Sequence, residues 1–356
     1  WQVGKGMIWA VSQAAPLQRV VVDHDLNLFE YQPPATAAGY SSGGYIANSK
    51  VNGDIRFGSQ QQFCVRNVDL GKEVDVPPVW NGVFVGCSGA VPTSHCGTAN
   101  NAHPIVTAKT SPKIAEKPFI SFESERFFLN VPKLQTDSMG SNFDQQEMTK
   151  IDFENVYVTK LTDDSDGINA KLAQGLDVII SPGIYYLKTS LRVTRSDQVI
   201  LGLGMATLVT TSDQPCIVVP DNLDGVRIAG LLLEAKSETV SSLLLWGISG
   251  GGNTSNPGVM SDVFARNGVF TTETVSSSID TMVRVASDSV IIDNTWLWRA
   301  DHDTNGAATM KDNHVNHGLY VKGDDVIAYG LAVEHTLEDL TIWDGERGQV
   351  YFYQSE

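Results

Sequence analysis

The stretch "SDQVILGLGMATLV" (196–209) decides the fold, because it combines an Asp corner, an apolar strand, a small-residue break and a second apolar strand. The same order recurs in "LDGVRIAGLLLEA" (223–235), "SDSVIIDNTWLWRA" (287–300) and "GDDVIAYGLAVEH" (323–335). Nearly continuous apolar strands of this kind are typical of buried parallel sheets. The repeat therefore predicts coils that stack about 4.8 Å apart, the normal spacing of neighbouring strands.

The rest of the chain has the same β texture. Long helical patterns are almost absent, and the best helix candidate is the short stretch 164–177, which includes Gly175 near its end. Most other segments are short apolar strands separated by Gly, Asn, Asp and Ser. We therefore predict an all-β fold, a right-handed parallel β-helix that winds as a single-stranded solenoid. In one variant of this fold, two β-helical parts follow one another in tandem.

Two parts are expected along the chain. Residues 1–150 form an N-terminal β-rich part, in which 110–150 is a charged, Pro-containing connecting segment, and residues 151–356 carry the β-helix with the candidate site. The chain opens on Trp1 and stops directly after the strand-like "VYFYQSE", so we expect a processed or trimmed chain. Because an open coil exposes unpaired strand edges, homo-association through the β-helix ends is a further expectation.

The charge balance limits the classes of binding partner. The chain has 25 Lys and Arg against 41 Asp and Glu, which gives a formal net charge of −16. Such a surface repels nucleic acid and anionic lipid, and no apolar run is long enough to span a membrane. We therefore expect a neutral polysaccharide as the partner, and neither nucleic acid nor membrane.

Cysteine and sequon positions indicate a secreted, extracellular protein. Cys87 and Cys96 flank the loop "CSGAVPTSHC", a spacing that suits a local disulfide, with buried free thiols as the alternative. No role is assigned to Cys64 or Cys216. Asn253 begins an Asn-Thr-Ser sequon within a Gly-rich stretch, which predicts an exposed glycosylation site.

Several stretches carry a resemblance to a known group of proteins: "INAKLAQGLDVIISPGIYYL" (168–187), "NTWLWRADHD" (294–303) and "HGLYVKGDDVIAYGLAVEH" (317–335). The chain resembles secreted bacterial and fungal parallel β-helix proteins of the pectate-lyase superfamily. Within that superfamily it looks like the α-1,3-glucanase (mutanase) family of glycoside hydrolases. The likeness covers most of the chain and implies both the β-helix and a hydrolytic activity.

The resemblance also implies a catalytic set, in which Asp301 is followed about one coil later by the adjacent pair Asp324 and Asp325. Inverting hydrolysis needs a protonated acid at the leaving oxygen and a carboxylate that activates water, roughly 6.5–9.5 Å away. In this interpretation Asp324 is the general acid, while Asp301 and Asp325 hold and activate the water. The alternative is structural, because Asp324 occupies the recurring Asp corner, where Asp is a favoured turn residue.

Polar and aromatic side chains surround these acids and are candidates for binding sugar. Aromatic faces stack on sugar rings, whereas His and Arg donate hydrogen bonds to hydroxyl groups. The alternative for the two strand tryptophans is a place in the core. The substrate-binding candidates are Trp296, Trp298, Arg299, His302, His317, Glu334, His335 and Trp343.

No metal and no cofactor are expected. The three histidines at 302, 317 and 335 lack the tight spacing of a metal site. A Ca²⁺ site built from the carboxylates at 301, 303, 324 and 325 is the alternative, since Ca²⁺ prefers oxygen ligands.

The sequence therefore favours a secreted glycoside hydrolase that acts on a neutral polysaccharide, an α-1,3-glucan, by an inverting three-aspartate mechanism. One alternative is an exo-β-1,3-glucanase of the two-helix type, which would use a glutamate as its acid, with Glu334 as the candidate. The other is a non-catalytic extracellular β-helix that serves as a structural, fibre or carbohydrate-binding protein.

Overall fold

The computed structural model describes residues 6–11, 14–32, 37–38, 43–58, 62–75, 81–97, 104–237, 239–268, 277–303, 306–307 and 313–356. They fall into two compact units. The first unit comprises Trp1–Ile114 and Gln135–Glu147, and the second comprises Ala115–Leu134 and Met148–Glu356. The segment 110–150, expected to be a connection, is thus divided between the two units.

The first unit consists of short strands. These are β1 (Met7–Ile8), β2 (Pro16–Gln18), β3 (Val21–Val22), β4 (Leu26–Asn27), β5 (Tyr31–Gln32), β6 (Ala37–Ala38), β7 (Gly44–Val51), β8 (Ile55–Arg56), β9 (Gln62–Leu70), β10 (Val74–Asp75), β11 (Asn81–Val85), β12 (Ser88–Gly89), β13 (Ile105–Ala108), β14 (Ser111–Ile114) and β17 (Gln135–Ser138). A four-stranded sheet has the order β1-β4-β8-β10, and a larger one has the order β13-β11-β9-β7-β2; both are parallel.

The second unit contains the longer strands and the helices. These elements are β15 (Phe119–Glu123), β16 (Arg126–Pro132), β18 (Met148–Asp152), a 3₁₀ turn (Phe153–Asn155), β19 (Val156–Val158), α1 (Ser165–Ala173), β20 (Asp177–Ile180), β21 (Ile184–Leu187), β22 (Leu191–Arg192), β23 (Val199–Thr210), β24 (Ile217–Val219), β25 (Arg227–Ala235), β26 (Val240–Trp246), β27 (Val259–Asn267), β28 (Ser278–Val285), β29 (Ile291–Arg299), β30 (His302–Asp303), β31 (Gly306–Ala307), β32 (His314–Val321), β33 (Ile327–Glu334), β34 (Thr341–Trp343) and β35 (Gln349–Ser355).

Two parallel sheets of the second unit alternate along the chain. One has the order β22-β24-β26-β28-β32-β34, and the other runs from β19 through β20, β23, β25, β27, β29 and β33 to β35. Each strand of the first sheet is followed by a strand of the second, so each pair forms one coil of a stack. The all-β, parallel and β-helix-like character expected from the repeat is therefore confirmed.

The second unit also holds an antiparallel sheet and a short helix. Strands β15, β16 and β18 pair antiparallel. The helix predicted over 164–177 forms at Ser165–Ala173, where the Asp164 side chain accepts a hydrogen bond from the Gly167 N–H. Such a side chain satisfies a backbone donor that the first helical turn leaves unpaired.

Long strands of the second sheet bend at a residue with positive φ, the left-handed region. Gly230, Asp262, Asn294 and Gly330 occupy this position in successive coils, with φ of 68°, 49°, 60° and 62°. The Asn294 side-chain amide donates to Asp262 Oδ1 over 2.7 Å, and Asp262 also pairs with Lys117 at 2.9 Å. Asn and Asp tolerate this conformation better than other side chains, which explains these polar breaks in apolar strands.

Beyond the bend, the strands separate an inner face from an outer face. Leu297 and Val333 point inward and are fully buried in the core, since successive side chains of a strand alternate. Trp296, Trp298 and Glu334 therefore lie on the outer face. Because the coils are in register, the outer face places equivalent residues in columns along the stack.

The disulfide predicted between Cys87 and Cys96 is not formed, and both thiols are free. Cys87 is buried in the core of the first unit, where its Sγ is 3.4 Å from the Val65 carbonyl oxygen, whereas Cys96 is exposed. Burial raises the pKa of Cys87 to about 12, so it behaves as a small core residue. Within the described ranges, no helix has the length and apolar character needed to span a membrane.

We expect Gly230→Ala to destabilise the protein by about 2 kcal/mol or more, because the left-handed conformation disfavours a side chain and the new Cβ would collide with the Gly202 carbonyl oxygen. Gly250→Ala is the matched control, since Gly250 also has a positive φ but no atom within 4 Å of the added Cβ. Urea unfolding measures both. Equal losses in the two variants would contradict the steric part of the argument.

Candidate active site

The Asp324-Asp325 doublet lies in the corner that precedes β33. Asp325 has φ +56°, and the corner residues of the coils on either side, Ser289 and Arg347, have φ +58° and +56°. Asp is one of the few residues that adopt this conformation at modest cost. The doublet therefore satisfies a conformational requirement of the corner.

Both carboxylates of the doublet are paired with the next coil. Arg347 Nε donates to Asp325 Oδ1 at 2.9 Å, and Arg347 Nη2 donates to Asp324 Oδ2 at 3.2 Å. The Glu346 N–H also donates to Asp324 Oδ1 at 2.8 Å. The two carboxylates raise the pKa of Arg347, chiefly through the hydrogen bonds that Arg347 donates to Asp325. Arg347 thus offsets part of the negative charge of the doublet.

Asp301 lies at the other end of the coil. It follows β29, whereas Asp324 and Asp325 precede β33, and these two strands pair in parallel. The strands therefore separate Asp301 from the doublet, and the expected convergence of three aspartates in one groove is wrong. The same separation divides the carboxylates of the alternative Ca²⁺ site. Whether any of these aspartates acts in catalysis stays a prediction.

A different acidic cluster forms at the strand ends near Asp301. Glu334, His335 and Glu356 each offer an atom within 4.8 Å of the other two. The Gln354 side-chain amide donates to Glu334 Oε1 at 2.7 Å, and His335 Nε2 lies 3.7 Å from Asp301 Oδ2. Glu334 is 2% exposed, whereas Glu356 is exposed. Carboxyl and imidazole groups of this kind suit proton transfer and could also hold a cation.

Burial raises the pKa of Glu334 to about 7. The nearby Trp296 indole N–H, which forms no full hydrogen bond among the described residues, opposes the rise, whereas the negative charges of Glu356 and Asp301 add to it. A buried carboxyl beside other acids keeps its proton because the charged form is poorly solvated and repelled. Glu334 is therefore poised to exchange a proton near neutral pH.

An aromatic pair adjoins Glu334 on the outer face. The rings of Trp296 and Trp298 stack with their centroids 5.6 Å apart and an interplanar angle of 23°. Trp298 is in register with Glu334 on one side and with Arg266 on the other. Both indoles are half-buried, so each retains an accessible part beside the acidic cluster.

The next carboxyl of this column is bound by an arginine. Glu234 is 1% exposed, and Arg266 Nε and Nη2 donate to its Oε1 at 2.7 and 2.6 Å. Burial raises the pKa of Glu234 to about 8, although the Arg266 charge lowers it. Glu334, in contrast, has a glutamine as its hydrogen-bond partner.

The remaining predicted binding residues have varied surroundings. Arg299 is buried and donates to the backbone carbonyls of Asn313 and His335. The His317 ring contacts the Asp339 carbonyl oxygen and Glu338, and Trp343 packs against the core. The side chain of His302 lies outside the described residues.

Sequence reasoning missed Gln354 and Glu356. Their signal was present, because "IAYGLAVE" (327–334) and "QVYFYQSE" (349–356) both end on Glu and pair in register through Tyr329 and Tyr351. Only the register between the coils shows that these two similar segments lie side by side, with Glu334 next to Glu356.

Comparisons with known proteins agree with the fold but not with the predicted substrate. Residues 156–356 match the LAM55 pectate lyase-like domain. The chain therefore belongs to the family of LAM55 pectate lyase-like domains. It is similar to an exo-β-1,3-glucanase from Streptomyces sp. (strain SirexAA-E / ActE), with 36% identity over 352 residues, 98% of this chain and 55% of that protein. The chain thus spans about half the length of this curated relative.

Two solved structures of a Streptomyces sp. SirexAA-E protein, sacteLam55A, are also similar. One covers 98% of this chain and 61% of the solved chain, with 33% identity and a TM-score of 0.84. The other is a glutamate-to-alanine variant in complex with glucose, with 34% identity, 98% and 60% coverage, and a TM-score of 0.84.

These findings correct the sequence analysis. The predicted α-1,3-glucan hydrolase is wrong, because the similar curated protein is an exo-β-1,3-glucanase. The resemblance to the mutanase family is not confirmed, whereas the wider pectate-lyase likeness is. The α-1,3 linkage had rested on the resemblance to the mutanase family alone.

Asp325→Asn should lower the melting temperature but leave kcat/KM for the hydrolysis proposed below within about twofold, because Asn fits the left-handed corner and the substitution removes the ion pairs with Arg347. Differential scanning calorimetry and steady-state kinetics measure the two effects. A hundredfold loss of kcat/KM at an unchanged melting temperature would instead establish a catalytic carboxylate.

Glu334→Gln should change how stability depends on pH. The folded protein holds the Glu334 proton up to about pH 7, whereas the usual pKa is 4.5, so the free energy of unfolding falls as pH rises between these values. Glutamine keeps the acceptor for Gln354 but does not titrate. Relative to wild type, the variant should gain up to about 3 kcal/mol between pH 4.5 and 8 in urea unfolding. Parallel pH profiles would contradict the raised pKa.

Proposed function

We propose that this chain is part of an exo-β-1,3-glucanase, a glycoside hydrolase that acts on a neutral polysaccharide. The observation that carries the proposal is the carboxyl pair of Glu334 and Glu356 beside the stacked Trp296 and Trp298. Similarity to the Streptomyces exo-β-1,3-glucanase supports the substrate class. The glucose complex of its sacteLam55A neighbour supports a sugar-binding site.

The pair supplies a proton to the leaving group. Burial and the repulsion of nearby negative charges raise the pKa of Glu334 to about 7, so Glu334 is the member of the pair that carries a proton. Glu334 is buried, whereas Glu356 is exposed and is the member within reach of a glycosidic oxygen. Glu356 therefore relays the proton: it accepts the proton that Glu334, held by Gln354, carries and donates it to the glycosidic oxygen.

The two indoles form the platform for the sugar. An apolar ring face buries well against the faces of pyranose rings, where C–H groups are exposed. Trp298 lies one strand away from Glu334 along the coil stack, so a sugar on this platform places its bond beside the carboxyl pair. Asp301 and His335 border the same position and can hydrogen-bond sugar hydroxyls.

Three further proposals concern the setting of the enzyme. The coils wind right-handedly, as parallel crossover connections nearly always do. The protein is extracellular, as its substrate is a polymer. Asn253, exposed beside Asp224, carries a glycan when the protein is made in a glycosylating host.

Glu356→Gln and Glu334→Gln should each reduce hydrolysis of a linear β-1,3-glucan oligosaccharide at least a hundredfold, because both weaken proton donation. On an aryl β-glucoside with a good leaving group, which needs little protonation, Glu356→Gln should retain most activity. Reducing-sugar release and aryl alcohol release measure the two reactions. Glu338→Gln, an exposed carboxyl that contacts His317, is the matched control and should keep full activity.

Two outcomes would overturn this assignment. Full activity of Glu356→Gln on the oligosaccharide would remove Glu356 from the mechanism. Hydrolysis of α-1,3-glucan or dextran in preference to the β-1,3-linked oligosaccharide would remove the proposed substrate.

A further inference from the structure

The outer column that holds Trp298 and Glu334 continues along the stack toward the earlier coils. Arg266 on β27 pairs in register with Trp298, and Trp298 pairs in register with Glu334. Because neighbouring strands lie about 4.8 Å apart, Arg266 and Glu334 flank the Trp298 indole at one strand spacing on either side. The tryptophan platform is therefore bordered by the carboxyl pair at one end and by a guanidinium group at the other.

The outer face becomes inaccessible beyond Arg266. Glu234 and Val209, which occupy the next two positions of the column, are 1% and 2% exposed. The Arg266 side chain, in contrast, is 31% exposed, and Trp298 is half-buried. A sugar chain that follows the column from the carboxyl pair toward Arg266 therefore meets a closed end.

Glu234 fixes the orientation of Arg266. Arg266 Nε and Nη2 donate to Glu234 Oε1 over 2.7 and 2.6 Å, and these bonds use one edge of the planar guanidinium group. Glu234 and Trp298 are the neighbours of Arg266 on opposite sides of the column, so the edge that is turned away from Glu234 faces the platform. A guanidinium group held in this way loses little freedom when it donates to a ligand.

We propose that Arg266, held by Glu234, binds the terminal glucose unit of the substrate at the closed end of the platform. An exo-acting enzyme cleaves from a chain end, so the terminal sugar lies between the closed end and the carboxyl pair that meets its glycosidic bond. This assignment of the terminal sugar rests on the proposed function. Guanidinium N–H groups donate to hydroxyl oxygens, which a pyranose ring presents around its edge.

The charges around the platform favour a neutral sugar over an acidic one. Arg266 is already paired with Glu234, and the other end of the platform carries Glu356 and Asp301. A uronic acid would meet the charge of Arg266 but would be repelled by these carboxylates, whereas a neutral hydroxyl accepts from Arg266 without that repulsion.

The contact between Arg266 and a sugar hydroxyl is tested by removing each partner in turn. NMR titration measures how glucose and its 3-, 4- and 6-deoxy analogues bind to wild type and to Arg266→Met, which keeps the apolar stem but lacks the donors. Arg195→Met is the matched control, because Arg195 is 36% exposed, pairs with the 1% exposed carboxylate of Asp177, and precedes β23 at the opposite ends of the strands. If Arg266→Met does not fold, Arg266→Gln, which can still donate to Glu234, replaces it.

We expect Arg266→Met to weaken glucose binding about tenfold, as the loss of a hydrogen bond to a charged group does. One deoxy analogue should bind wild type about tenfold more weakly than glucose, yet bind Arg266→Met as well as glucose does, because the missing hydroxyl has then already lost its partner. Arg195→Met should keep the wild-type pattern. The kcat/KM for an aryl β-glucoside should fall in Arg266→Met by a similar factor.

The proposal is overturned if Arg266→Met weakens glucose and all three analogues by the same factor, because Arg266 then acts only on the shape of the site. It is also overturned if wild type does not bind glucose, if Arg266→Met binds glucose with wild-type affinity, or if glucuronate binds more tightly than glucose. A wild type that shows the expected binding pattern but hydrolyses no β-1,3-linked oligosaccharide would instead refute the proposed function.

Discussion

The structure depends on the hydrogen-bonded register between consecutive parallel strands. Because β25, β27, β29, β33 and β35 pair without a shift beyond their common bend, a residue at one position lies directly over its counterpart in the next coil. The core follows from this, since aliphatic side chains at equivalent positions pack in continuous columns. The functional chemistry follows as well, since the outer columns determine which charges meet.

The same register places carboxyl groups beside two different kinds of neighbour. Where the next coil offers an arginine to a partly exposed carboxylate, the two charges pair, as for Asp325 with Arg347. Where it offers another acid and a glutamine, as for Glu334, burial and repulsion retain a proton. Catalytic potential in this fold therefore depends on the partner in the neighbouring coil more than on the carboxyl itself.

The sequence of a single strand does not show which groups surround its acids, because those groups lie in the neighbouring coils. Asp324 and Asp325 attracted attention because adjacent carboxylates in a corner are unusual, yet the left-handed conformation at Asp325 and the arginine one coil later account for them. Glu334 was identified as a binding candidate and as the acid of an alternative function. Glu356 was missed, because its relation to Glu334 is a relation between coils.

Sequence alone determined the all-β class and the parallel stacking, because strand burial and corner chemistry are local properties that repeat with each coil. It also placed Trp296, Trp298, Glu334 and His335 in one neighbourhood. Only the tertiary structure decided which acids converge and that Cys87 points into the core. Those outcomes depend on coil length and register. Neither can be read from the sequence, because the loops between the repeats vary in length.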